Sequence, residues 1–355
     1  MAEQALVSIC IPTANRAKFL QQSLPTICGQ KYAPIEIVIS DNASTDGTER
    51  FCRELAENDP RVRYVRQPVN LGIWGNHNAC IELARGPLLC IFHDDDIYEP
   101  DIVGEYVEFM QAHPNVGVVC SDFSLIDDEG RTIANRQFGA TRAMPGETLI
   151  EQTLRSGRSS VAVSGAMMRR SAIGDLRFTT SQAMGFADFV MWFGMAETSE
   201  VGHIGRRLWS YRLHSGSLSR LSILQMASQY HENLFGYCDD RLRRQPDLAP
   251  RLARYRAAID NYLFWALLYE VARHVRVTRG GSVPLAGHTI FDLGTYTLTD
   301  AEFREAVAAL GRYGKTPMTR LVRHVVTAAI AAGLTRPLEW AARWSPTVRA
   351  VLGLR

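Results

Sequence analysis

The chain opens with short apolar runs separated by amphipathic stretches. Leu6–Ile11 (LVSICI) and Ile35–Ser40 (IEIVIS) are almost continuously apolar, as expected of strands buried on both faces. Val62–Arg66, Pro87–Phe92 and Val116–Cys120 predict three more strands. Between them, Phe19–Cys28, a segment ending near Asn58, Trp74–Ala84 and Asp101–Ala112 carry apolar residues at helical spacing. Asp46 and Glu49, placed three apart by the Asp41–Gly47 turn, predict a capping box on the second helix. Strands alternating with helices predict βαβ units, hence an α/β fold with a mixed, mainly parallel sheet flanked by helices. Past residue 220 the spacing turns helical: Gln225–Arg244, Leu248–Arg276, Asp300–Tyr313, Thr319–Ala332 and Pro337–Leu352. The expected division is an α/β domain over 1–220 and an α-helical domain over 221–355.

Composition supports a folded chain, since 46% of its 355 residues are hydrophobic and 21% charged. A formal charge of +2 lacks the basic excess of a dedicated nucleic-acid binder. That sum conceals an asymmetry: residues 1–220 carry 21 basic and 26 acidic side chains, residues 221–355 carry 18 and 11. The two parts are expected to face different partners. Seven cysteines, none in a C-x-x-C pair and several inside apolar runs, predict reduced, buried thiols and a cytoplasmic protein. The first residues, Met1-Ala2-Glu3-Gln4, lack a basic leader region, so no secretory signal is expected. No apolar stretch nears the ~18 residues of a spanning helix.

Ligands of open α/β sheets gather beyond the carboxyl ends of the strands. Three polar clusters fall there: Thr13–Arg16 with Asn15, Asp41–Asp46, and His93-Asp94-Asp95-Asp96. Three adjacent carboxylates repel one another unless a cation or hydrogen-bond donors offset them. A hard divalent ion joining carboxylates to substrate phosphates would do so. The bland alternative is a solvated turn capping the next helix, but an origin in a buried strand favours the ion.

These strings, VSICIPTANRAKFLQQSL, IEIVISDNASTDGTE and NLGIWGNHNACIELARGPLLCIFHDDDIYEPDIV, together resemble family 2 glycosyltransferases of the GT-A fold over about residues 5–215. The resemblance implies a metal-dependent, inverting transfer from a nucleotide-diphosphate sugar, of UDP or dTDP type, to a hydroxyl acceptor. It puts Pro12, Thr13, Asn15 and Arg16 beside the nucleotide and Asp41 at the base. Asn70, Gly72 and Asn76 fall on the family's N-x-G segment. Asp94 falls to the ribose and Asp95 to Mn2+ or Mg2+, while His93 replaces the first acid of the usual D-x-D-D form. Asp188, with Ala187 in place of the usual Glu, is the implied base. Ser164 and Gly165 match the acceptor loop, and Asp122 reaches donor sugar or acceptor. Arg212 and His214 match the closing segment, with His214 as a second metal ligand and Ser215–Leu221 as a lid.

Two other readings fit parts of the chain. A sugar-nucleotidyltransferase would carry a Gly-rich basic loop after its first strand, which Pro12–Arg16 is not. A non-catalytic nucleotide-sugar binder would tolerate Ala187 and His93. Residues 316–355 hold six arginines, one acid, and Trp340 and Trp344 four apart. Such helices suit peripheral contact with the inner face of an anionic membrane, or self-association into a homo-oligomer.

Overall fold

The computed structural model describes residues 4–156, 159–179, 187–214, 223–278, 298–313, 315, 319–320 and 322–323. The chain forms two compact units, 1–150 with 159–214 and 151–158 with 215–355. The boundary expected at residue 220 lies outside the described residues, and no sequence signal assigned 151–158 to the second unit.

In the first unit β1 (Val7–Thr13), α1 (Ala17–Cys28), β2 (Ile35–Asp41), α2 (Thr48–Asn58), β3 (Val62–Arg66), α3 (Gly72–Leu83) and β4 (Leu88–Ile91) follow in order. Then come β5 (Ile97–Tyr98), α4 (Ile102–Ala112), β6 (Val116–Ile126), β7 (Thr132–Arg136), β8 (Arg142–Pro145) and α5 (Gly146–Ser156), whose residues from 151 onward belong to the second unit. β9 (Ala166–Arg169), α6 (Arg170–Ile173), α7 (Ala187–Ala196) and β10 (Glu200–Arg212) complete it. The sheet runs β3-β2-β1-β4-β9-β6-β10-β5, with β7 beside β6 and β8 beside β10. Its first four strands are parallel. β9 then runs antiparallel to both β4 and β6, and β10 is again parallel to β6.

Every residue of β1 is buried, because helices cover both faces of a parallel sheet. α1 lays Leu20, Leu24 and Ile27 against this core. The chain turns from β1 to β2 and β3 on one side, then crosses to β4 on the other. The carboxyl ends of β1 and β4 therefore flank the topological switch point.

The capping box expected at α2 does not form. Asp46 accepts instead from the backbone N–H groups of Thr48 (2.9 Å) and Ala17 (3.3 Å). Glu49 pairs with Arg53 and Arg66. Tertiary partners outcompete the local motif here.

The second unit contains α8 (Ile223–Arg244), a 3-10 turn at Pro246–Leu248, α9 (Ala249–Thr278) and α10 (Asp300–Ala309). Tyr230 of α8 meets Tyr262 of α9 at 5.5 Å. Thr299 and Glu302 form a reciprocal capping box on α10. Trp340, Trp344 and most of the basic tail lie outside the described residues. Among the described residues, no helix is long and apolar enough to cross a membrane.

Candidate active site

The loops leaving β1 and β2 are latched together. Asn15, at φ 56°, accepts from the Thr45 N–H at 2.7 Å, and its own N–H donates to the Ser44 hydroxyl. A short polar side chain tolerates that left-handed conformation. The Arg16 N–H donates to Thr48 Oγ1, and the Arg16 guanidinium lies 5.6 Å over the Phe19 ring. Pro12 and Thr13 pair in register with Ser40 and Asp41.

Two residues expected at the nucleotide also hold the strand ends together. Asp41 is wholly buried, with one oxygen accepting from the Tyr64 hydroxyl and the other from the Ser44 N–H. Turn chemistry accounts for the Ser44 contact, and the Tyr64 contact comes from the neighbouring strand β3. Asn76 is also buried; its amide donates to the carbonyls of Ser40 and Thr13 and accepts from Ser40 Oγ. It braces the ends of β1 and β2. Asn76→Ala should cost about 2 kcal/mol by leaving buried carbonyls unpaired; an unchanged urea midpoint would refute the brace. Asn70 accepts from Asn42 and from the Gly72 N–H, and Gly72 enters α3 at φ 72°.

β4 runs into the acidic turn. Ser23 of α1 donates to the Asp94 carbonyl at 2.8 Å, fixing the turn against the core. Burial lifts the Asp94 carboxyl to about 8, with the Asp95 charge adding to it. Asp96 is fully buried, which raises its carboxyl well above the ordinary range. It accepts from Ser164 Oγ and from the Arg212 N–H. Burial also acts to raise Asp95, but His214 Nε2, donating at 2.9 Å, together with the Arg16 charge holds this carboxyl below its usual value. The closing segment therefore reaches the acidic turn. The Arg212 guanidinium, expected at the leaving group, donates to the carbonyls of Asp95, Asp127 and Asp128. It binds the acidic turn to the β6–β7 hairpin.

The donor set fits a divalent cation. His93, Asp95 and Asp96 each offer one atom within 4.8 Å of the others, while His214 stands beside them with its Nε2–H donated to Asp95. Carboxylate and imidazole together suit ions such as Mn2+. Asp96 has both oxygens hydrogen-bonded, so Asp95 is the better placed carboxylate.

Asp188 stands in the first turn of α7. Burial pushes its carboxyl up to about 7, against the pull of the Phe189 N–H. Trp192, one turn later, meets Phe178 edge-on at 6.1 Å. Phe178 lies 5.7 Å from His77, whose Nε2 is 3.3 Å from that of His93. An aromatic chain thus links the Asp188 helix to the acidic turn. Ser164 bonds Tyr98 as well as Asp96. Gly165, at φ 73°, passes directly beneath the Trp209 ring. Asp122 takes a separate role: it accepts from the Phe138 N–H and lies 3.1 Å from His203 Nε2. None of these partners belongs to the acidic turn.

Residues 8–177 match the profile described as glycosyl transferase family 2. They form a family 2 glycosyltransferase domain. Chondroitin synthase of Escherichia coli is 34% identical over 130 residues, 37% of this chain and 19% of that protein. Abequosyltransferase RfbV of Salmonella typhimurium is 38% identical over 114 residues, 31% of this chain and 34% of that protein. The chain thus spans well under half the length of either relative. S. aureus TarS 1–349 in complex with UDP-GlcNAc matches with TM-score 0.60 and 15% identity, covering 94% of this chain and 90% of that one. Mannosyltransferase PcManGT from Pyrobaculum calidifontis, in complex with GDP-Man and Mn2+, matches with TM-score 0.52 and 18% identity, covering 100% and 89%. At such identities the structures establish the shared GT-A fold.

Several residues of the family 2 domain escaped sequence reasoning. Asn42 bridges Asn70, the Gly72 carbonyl and the Leu71 N–H. Tyr64 closes Asp41. Asn78, which the family resemblance places on the helix after the N-x-G segment, pairs twice with the Phe178 backbone. Only the Asn-rich spelling of these loops hinted at such latches. The segments 180–186 and 215–222, including the lid expected at Ser215–Leu221, lie outside the described residues.

Proposed function

We propose that this chain is an inverting glycosyltransferase that moves one sugar from a nucleotide-diphosphate sugar to a hydroxyl of a saccharide, lipid-linked glycan or natural-product acceptor. The observation that carries the reading is the meeting of Arg16, His93, Asp94, Asp95 and His214 beyond β1 and β4 of a family 2 domain. TarS in complex with UDP-GlcNAc and PcManGT in complex with GDP-Man support a nucleotide sugar as donor class. On this reading Asp95, with His93 and His214, holds Mn2+ or Mg2+. Such an ion supplies positive charge against the diphosphate. Thr13, Asn15, Arg16 and Asp94 line the nucleotide side, and Ser164 keeps the acidic turn in register with the acceptor loop.

Asp188 serves as the base. A carboxyl balanced near 7 ionises at working pH yet retains enough basicity to take a proton. The acceptor hydroxyl gives that proton to Asp188 as its oxygen bonds to the anomeric carbon. The bond from that carbon to the diphosphate oxygen breaks on the opposite face, and the electron pair leaves with the diphosphate. The configuration inverts.

Thermal-shift measurements with UDP, dTDP, GDP and their sugars, with and without Mn2+, test the donor side. At least one nucleotide should raise Tm, because ligand binding to the folded state stabilises it. Mn2+ should enlarge that rise, and Asp95→Ala should remove the enlargement. A protein indifferent to every nucleotide and to Mn2+ would overturn the assignment.

A further inference from the structure

His93 departs from the acid that the family resemblance implies at its position, and its partner shows what it offers instead. His77 Nδ1 lies 2.8 Å from the carbonyl of Ile73, one turn back on α3. A carbonyl only accepts, so this nitrogen carries the proton. His77 is 5% exposed, with the rings of Trp74 at 5.1 Å and Phe178 at 5.7 Å. An apolar box of this kind disfavours a charged imidazole, leaving His77 neutral. Its Nε2 is then a bare acceptor. That atom faces His93 Nε2 at 3.3 Å, with the two rings nearly perpendicular at 87°. Two bare nitrogens would repel, so the hydrogen must sit on His93 Nε2. A neutral His93 protonated there carries its lone pair on Nδ1, the nitrogen 4.0 Å from Asp96 Oδ2. Nδ1 thus faces the group formed by His93, Asp95 and Asp96.

We propose that the relay from the Ile73 carbonyl through His77 to His93 fixes the tautomer in which His93 Nδ1 is a metal donor, making His77 a positioning residue of the cation site. The inference rests on reading the Asp95 cluster as that site. Partners of this kind, bonded to the far nitrogen of a ligating imidazole, orient the ring and set its tautomer. An imidazole donor contributes more to Mn2+ than to Mg2+, which prefers oxygen ligands.

Long-range 1H–15N correlation of the histidine rings in the metal-free wild type reads the tautomer directly and requires no variant. His93 should show protonated Nε2 and bare Nδ1; the reverse pattern overturns the proposal. Mn2+ titration followed by electron paramagnetic resonance then compares wild type, His77→Leu, His77→Gln and Asp95→Ala. His77→Leu should weaken Mn2+ binding about 10–100-fold and Mg2+ binding less. His77→Gln, whose amide oxygen can accept from His93 Nε2–H, should restore most of the affinity. Loss of Mn2+ binding in Asp95→Ala with full retention in His77→Leu overturns the relay alone. A wild type that binds no Mn2+ overturns the relay together with the cation-site reading.

Discussion

Asp188→Asn is expected to lower transfer about 10²–10⁴-fold, the usual contribution of a general base, with nucleotide affinity unchanged. Asparagine has nearly the same shape but cannot take the acceptor's proton. In the wild type the rate should climb as pH rises through about 7, where this carboxyl ionises. Stability should move the other way. The folded carboxyl keeps its proton up to about pH 7, whereas the unfolded one ionises near 3.8. Between those values the folded state binds more protons, so stability falls as pH rises through that window and stays lower above it. Asn removes this penalty. The variant's Tm should therefore exceed that of the wild type at pH 8 and match it at pH 4. Lost turnover with gained stability is the signature of a residue kept for chemistry. Full activity in the variant would eliminate Asp188 as the base.

Gly165→Ala should be the most damaging single methyl near the acidic turn. An added Cβ would lie 2.6–2.7 Å from three atoms of the Trp209 ring. Trp209 has little room to retreat, being 2% exposed and packed on Phe123 at 4.5 Å. The left-handed φ of 73° adds roughly 1–2 kcal/mol for a residue with a Cβ, and overpacking roughly 1–3 kcal/mol. The combined loss, about 2–5 kcal/mol, should lower Tm by on the order of 5–15 °C. The consequence reaches the site because the Gly165 carbonyl accepts from Tyr106 and neighbouring Ser164 bonds Asp96. Wild-type stability in calorimetry would mean that the indole can move aside.

The α/β half was legible wherever burial on both faces wrote a continuous apolar run. β1, β2 and β4 were visible for that reason. β7, by contrast, is largely exposed and lacks such a run. β10 carries register shifts between Ile204 and Trp209 that break any simple alternation. The antiparallel placement of β9 depends on neighbours distant in sequence. The same logic divides the site. Asp94 and Asp95 could be found because a carboxylate cluster at the end of a buried strand is anomalous by itself. Tyr64 on Asp41, Asn76 on Ser40 and His77 on His93 are unremarkable residues brought together by topology. Asp41 and Asn76 show why: a polar residue near a ligand loop also holds the loop itself, and spacing does not reveal the partners that do so.

All seven cysteines are free thiols, six of them buried and Cys28 only partly so. They sit on β1, α1, α2, α3, β4, β6 and α8, at Cys10, Cys28, Cys52, Cys80, Cys90, Cys120 and Cys238. A buried thiol meets an alkylating reagent only when its surroundings open. The chain thus carries an internal set of clocks, six in the sheet-bearing unit and one in the helical unit. Their labelling rates, resolved by peptide mass, order the opening of β1 and β4 beneath the acidic turn against that of α8 without any engineered probe.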